Sequence, residues 1–216
     1  MDNLIHPHYQ SRVVNACIAT TVATASLFTP WETTRIISGT MLTGITYSVV
    51  NDLFSCRECI EYFAEGIWGG RRLDNRPIRT LDPNWNALIW GMMASWQISA
   101  LAGCIFAILA RIPFRLFTYK LTARQILPYL QGGAVFVQTL AHIASWKEKQ
   151  KVSQAQKNGT FKDSLPEVPN EHKARFIAVN ERHRVGYLGN RALCVALGVV
   201  IVTMRLRVIP HLTFRQ

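Results

Sequence analysis

The sequence predicts an all-α, polytopic helical membrane protein, with four transmembrane helices and a possible fifth near the N-terminus. Three observations carry this. Trp85 to Ala110 is an apolar stretch of about 26 residues without a charged side chain, closed by Arg111; as a helix rising 1.5 Å per residue it exceeds a hydrocarbon layer of about 30 Å. Hydrophobic residues make up 49% of the chain and charged residues only 17%, below the usual soluble quarter. Basic residues stand beside apolar runs, in Arg111-Ile112-Pro113-Phe114-Arg115, in Lys147 to Lys151 and in Arg205-Leu206-Arg207, the placement that fixes topology and meets lipid head groups.

The first firm span runs from about residue 36 to 54 and is the least apolar, with Asn51 and Asp52 near its end. The second is about 85–110. The third, about 126–146, is entered through Pro128, placed in its first turn where a missing N–H costs little. The fourth is about 186–204. Together they form a transmembrane domain, 36–204, that includes polar loops 55–84 and 147–185 and is followed by a basic tail, 205–216. Residues 1–35 form an N-terminal segment in which Val13 to Thr29 is either an extra span or an interfacial stretch. An Ala23-Thr24-Ala25 triplet suits signal peptidase, but Asn15 and repeated threonines make a poor apolar core for a signal.

The loops read differently. Loop 55–84 opens with Cys56-Arg57-Glu58-Cys59, whose Cys59, Tyr62 and Phe63 would share one face if the first helix continued. Within 147–185 a polar Lys/Gln stretch reads as exposed, and Glu171 to Arg184 reads as a helix along the membrane surface. The short second loop holds Arg111, Arg115, Lys120 and Arg124 without an acid. That loop and the C-terminus are therefore expected in the cytoplasm.

Small residues recur at four-residue spacing in Gly91, Ser95, Ser99 and Gly103, a stripe on which another backbone can approach closely. The partner is either another helix of this chain or a second copy.

Alternating spans bring the end of the first, the start of the second, the end of the third and the start of the fourth to one side. Asp52, Glu61, Tyr62, Trp85, His142, His183 and Arg191 fall near that rim, whereas the opposite side reads as mainly basic. Ionisable groups at membrane depth are costly and are paired or functional. An Asp52–Arg191 pair is expected. The rim is then either structural fastening or a shallow site for a head group, a quinone-like ring, a metal or protons.

Other chemistry is thinly represented. Cys56-x-x-Cys59 alone falls short of the four ligands of a structural zinc site, and Cys17, Cys56, Cys59, Cys104 and Cys194 suggest no disulfide framework. His6 and His8 are a weak metal pair. Neither a phosphate-cradling loop nor a nucleophile elbow is present, and Gly69-Gly70-Arg71-Arg72 lacks the flanking strand and helix. No cofactor is implied. The net charge of +11 points to anionic lipid rather than nucleic acid.

The first half resembles an uncharacterised family of bacterial multi-pass inner-membrane proteins. The resemblance rests on Gly44-Ile45-Thr46-Tyr47, Val50, Asp52, Arg57, Cys59, Glu61-Tyr62-Phe63, Pro83, Ala87, Trp90-Gly91, Ala94, Trp96, Gly103 and Ala110-Arg111. A second stretch is similar at His183, Tyr187, Gly189 and Cys194. It implies about four spans and an inner-membrane location, and no established activity. Family members tend to carry histidine where this chain has Asn51, and another after the Glu-Tyr-Phe, where none stands near Gly66-Ile67. The expected role is a non-enzymatic membrane scaffold or accessory subunit packing against other membrane proteins or anionic lipid. The alternative is an enzyme or transporter component using the Asp52, Glu61, His142, His183 and Arg191 rim.

Overall fold

The computed structural model describes Thr20 and residues 30–64, 66–68, 71–73, 82–113, 119–162 and 168–206. The rest of segment 13–29, His6, His8, Cys17, Gly69, Gly70, Arg115 and the tail beyond Leu206 lie outside the described residues.

Among the described residues four long helices dominate: α1 (Trp31–Glu58), α3 (Pro83–Arg111), α4 (Ala123–Lys157) and α5 (Asn170–Arg205). A single turn, α2 (Glu61–Ala64), and a short antiparallel pair, β1 (Gly66–Trp68) with β2 (Arg71–Leu73), fill part of the first loop, with Ile67 opposite Arg72. Each predicted span falls inside one long helix, and every helix is longer than its span. At 1.5 Å per residue they extend roughly 42 to 54 Å, beyond the hydrocarbon layer. Both α3 and α5 are long and apolar enough to cross a membrane.

The helix ends explain the extra length. Asp82 opens α3, its carboxylate accepting from the backbone N–H of Asn84 and Trp85, with Pro83 in the first turn. A capping box between Thr122 and Gln125 starts α4 at Ala123. Pro128 therefore sits in the second turn, not the first, and removes one helical hydrogen bond there. Lys147 to Lys157, expected as a loop, completes α4, and Glu171 to Arg184, expected along the surface, is continuous with α5. No proline interrupts either stretch, and the outer halves of the two helices have each other to pack against. Val152 and Ala174 are buried there.

The stripe on α3 faces α1. A side chain at Gly91 would meet the Val49 backbone at 2.7 Å, and one at Gly103 would meet Ile37 Cα at 2.9 Å. Ser95, between them, is buried and donates to the Gly91 carbonyl. Ser99 lies against Gly44.

The far end from the predicted rim is fastened by charge. Arg205 is buried and donates to three carbonyls: Leu109 at 2.6 Å, Ile112 at 2.8 Å and Tyr119 at 2.9 Å. A cation at the C-terminus of α3 meets its negative dipole end. Glu32, salt-bridged to Arg35 at 2.7 Å, accepts from the Ala123 N–H at 2.9 Å and so caps α4 from another helix. This side, expected to be mainly basic, thus carries a working acid.

Candidate functional site

At the opposite end, α1 presents Tyr47, Asn51, Asp52, Ser55 and Glu58 at three- and four-residue spacing, one face of a helix. Antiparallel to it, α5 presents Val179, Arg182, His183, Gly186 and Asn190. These faces meet in two polar groups.

The first is Asp52 with His183. Both are buried, and His183 Nε2 lies 3.3 Å from Asp52 Oδ1 and 3.4 Å from Asn51 Nδ2. The Val179 carbonyl accepts from His183 Nδ1 at 2.9 Å. With Nδ1 protonated, Nε2 of a neutral ring is an acceptor, and it faces a carboxylate oxygen, also an acceptor. The Asn51 amide nitrogen lies 3.4 Å from both His183 Nε2 and Asp52 Oδ1, so one side-chain amide group serves the two facing atoms. Tyr62 stacks on the imidazole with centroids 5.0 Å apart and an 18° interplanar angle; Phe63 and Tyr187 stand 6.0 Å away.

The second group is Glu58, Arg182 and Lys149. Glu58 Oε2 accepts from Arg182 Nη2, and Glu58 Oε1 accepts from Lys149 Nζ at 2.9 Å. Arg182 Nη1 reaches Ser55 Oγ at 3.4 Å. Burial pushes the Glu58 carboxyl upward, but the Lys149 hydrogen bond and the Arg182 charge outweigh it and hold it below the usual 4.5. One acid thus joins α1, α4 and α5.

The expected rim residues do not all join these groups. Glu61 turns away to His172 Nδ1 at 3.3 Å and accepts from the Cys59 thiol at 3.3 Å. His142 sits lower on α4: its Nδ1 meets the Gln138 carbonyl at 2.9 Å, and Phe54 packs edge-on at 4.4 Å. Trp85 is exposed at the start of α3. Arg191 is exposed and does not pair with Asp52, whose partner is His183. Arg191 follows His183 by two turns, roughly 12 Å along α5, too far toward the other side.

The first helix passes Cys56 but ends at Glu58 and does not continue through Cys59 to Phe63. The backbone turns extended at Cys59, sending Cys59 against Phe176 and Val179 while Cys56 packs on Phe63 and Ala87. Burial drives both thiols up to about 12, the opposite of what a metal-binding thiolate needs. Among the described residues no cluster of three or more His, Cys, Asp or Glu side chains is placed to hold a metal ion.

Sequence reasoning missed Glu58, Lys149, His172 and Arg182. The signal for Glu58 and Arg182 was their closeness in sequence to Asp52 and His183: Glu58 follows Asp52 by six residues and Arg182 directly precedes His183. Asp52, Tyr62, Phe63 and Tyr187 converge around the His183 imidazole. Comparisons with protein-family models, with curated proteins and with solved structures give no match.

Proposed function

We propose that the chain is a four-span, non-enzymatic membrane scaffold or accessory subunit, whose polar rim fastens helices together and whose apolar flanks contact lipid and neighbouring membrane proteins. The observation that carries this reading is the distribution of polarity. Charged and amide side chains such as Asp52, Asn51, Arg182 and Arg205 are buried, while Leu42, Ile98, Phe136, Leu140, Leu188 and Val195 are exposed on the four long helices. Only 28% of the apolar window of α3 and 17% of that of α5 is buried, whereas the core helix of a water-soluble protein is mostly covered. Trp31 and Trp85 are exposed at helix starts and Trp146 is exposed where the apolar part of α4 gives way to its Lys-rich half, positions suited to interfacial aromatics.

The fastening role follows from the site itself. Asp52, His183 and Glu58 already have partners, and the His183 ring is packed by Tyr62 and Phe63, an arrangement suited to holding helices rather than to turnover. The Arg111, Lys120, Arg124 and Arg205 side faces the cytoplasm of a bacterial inner membrane by the positive-inside rule. The Lys- and Arg-bearing outer halves of α4 and α5 stand on the other side.

Two measurements test this. Alkaline carbonate should leave the protein in the membrane pellet; release into the supernatant would defeat the four-span reading. Purification in mild detergent should bring down stoichiometric membrane partners. Asp52→Asn with Arg191→Gln should preserve that co-purification if the protein accumulates. Conversely, loss of a measurable activity in His142→Ala at normal abundance would replace the scaffold with a small-molecule or proton site.

A further inference from the structure

The four long helices turn apolar side chains outward, and Arg191 breaks that pattern. It is exposed in the middle of α5. On the same helix face stand the exposed Leu188, Val195 and Val199, three, four and eight residues away. Among the described residues Arg191 makes neither a hydrogen bond nor an ion pair.

Its depth follows from the neighbouring helices. Gly189 of α5 packs on Val137 of α4, and Gly186 lies against the Tyr47 hydroxyl of α1. Both neighbours run antiparallel to α5. The exposed Trp146 of α4 is therefore level with Asn180, and the exposed Trp31 of α1 is level with Val202. Arg191 stands roughly 16 Å along the axis from either tryptophan level. That is the middle of a layer roughly 33 Å deep, close to the hydrocarbon thickness. A guanidinium stays charged, and a charge at mid-depth is costly unless it is paired. The side chain tilts toward the His183 end, but the Trp146 level is farther than snorkelling spans.

This chain does not hold the missing partner. Between the two tryptophan levels the four long helices carry Glu32, Asp52 and Glu181 as their only acids. Glu32 is bound to Arg35, Asp52 is buried on His183, and Glu181 is held by Arg184. Each lies roughly 12 Å or more from the level of Arg191, so a second copy brings no carboxylate to this depth. A lipid phosphate stays at the tryptophan levels.

We propose that Arg191 docks a transmembrane helix of another protein that carries one aspartate or glutamate at mid-depth, with Leu188, Val195 and Val199 packing beside the ion pair. A carboxylate supplies the opposite charge and accepts two guanidinium donors side by side.

This inference rests on the accessory-subunit reading and names the chemistry of its partner. The full chain, donor-labelled at its C-terminus, is placed in phosphatidylcholine vesicles with acceptor-labelled synthetic leucine–alanine helices of about 20 residues. One helix carries glutamate at its centre, a second carries leucine there, and a third carries glutamate one turn from its end. Energy transfer should show the central-glutamate helix associating about tenfold more tightly than either of the others, the scale of a polar contact between helices in lipid. Arg191→Leu should erase that preference and Arg191→Lys should keep it. Arg191→Gln, whose amide still donates to a protonated carboxyl, should keep part of it. Equal binding of the central-glutamate and leucine helices, or a preference that survives in Arg191→Leu, overturns the inference with the four spans intact. Equally tight binding of the end-glutamate helix does the same, because Arg191 then reaches the interface. Two further outcomes overturn it by naming another partner. Loss of the preference on adding phosphatidylglycerol makes that partner a head-group phosphate. Transfer between copies of the chain that Arg191→Leu abolishes makes it a second copy. A chain that alkaline carbonate strips from the vesicles fails the four-span reading instead.

Discussion

The imidazole of His183 and the carboxyl of Asp52 meet at 3.3 Å across the interface between α5 and α1, with the Val179 carbonyl fixing the far nitrogen. Both partners are buried and both lie against the Asn51 amide, so a replacement is judged by the hydrogen bonds it leaves unmet. Asp52→Asn keeps an oxygen and adds a donor, and should cost under about 1 kcal/mol. Asp52→Leu removes the carboxylate that both His183 and the Asn51 amide face, leaving those two groups only each other, and should cost about 2–4 kcal/mol. Arg191→Gln, on an exposed surface, should stay within about 0.5 kcal/mol of the parent. Thermal melting of the detergent-solubilised protein ranks the three. A melt of Arg191→Gln as depressed as that of Asp52→Leu would contradict the pairing.

Arg205 satisfies three carbonyls that α3 and the following loop leave open. Lysine at this position cannot reach all three, because its donors radiate from one atom instead of a planar fork. Arg205→Lys should therefore lower stability by about 2–3 kcal/mol, and Arg205→Met by more. Protease accessibility near Tyr119 should rise in both variants, since the bond to its carbonyl is lost with the guanidinium.

Glu58 sets an acid limb to stability. Its folded-state value lies below the usual 4.5 because Lys149 and Arg182 overcome the effect of burial. An unfolded chain then binds more protons at this residue than the folded one between the two values, so stability rises with pH there. The contribution is fully present above 4.5 and is lost as pH falls through the depressed value. Melting curves between pH 3 and pH 7 should show a shallower acid loss in Glu58→Gln than in the parent. Glu32, Glu61 and Glu181 are lowered as well, so some acid loss should persist. An unchanged slope would mean that Glu58 does not feel its two cations.

How far the fold could be read from residues varied with the signal available. Trp85 to Ala110 announced α3 because it has no polar face to mistake for a surface. The outer halves of α4 and α5 did not announce themselves. Lys147 to Lys157 holds few apolar residues, and its helix depends on packing against α5, a tertiary cause that composition does not carry. That error in length moved the rim as well. With α5 imagined to start near Gly186, Arg191 stood one turn inside and matched Asp52 in charge. With the true start at Asn170, His183 is level with Asp52. Glu58 and Arg182 went unnoticed because they were assigned to loops.

The small residues of α3 provide the sharpest contrast in cost. A methyl group at Gly91 would sit 2.7 Å from the Cα and N of Val49, and backbone, unlike a flexible side chain, cannot turn aside. Gly91→Ala must therefore separate α1 from α3 over the length of the stripe, with a cost of about 2–3 kcal/mol, typical of overpacking. Gly91→Leu should prevent accumulation altogether. At Gly132, on the exposed side of α4, an added methyl group would meet nothing within 4 Å. There, alanine restores helix propensity and should stabilise by about 0.5–1 kcal/mol. Melting of the two alanine variants in one detergent compares them directly. Equal behaviour would mean that α1 and α3 do not meet at Gly91, and that the stripe faces a second molecule.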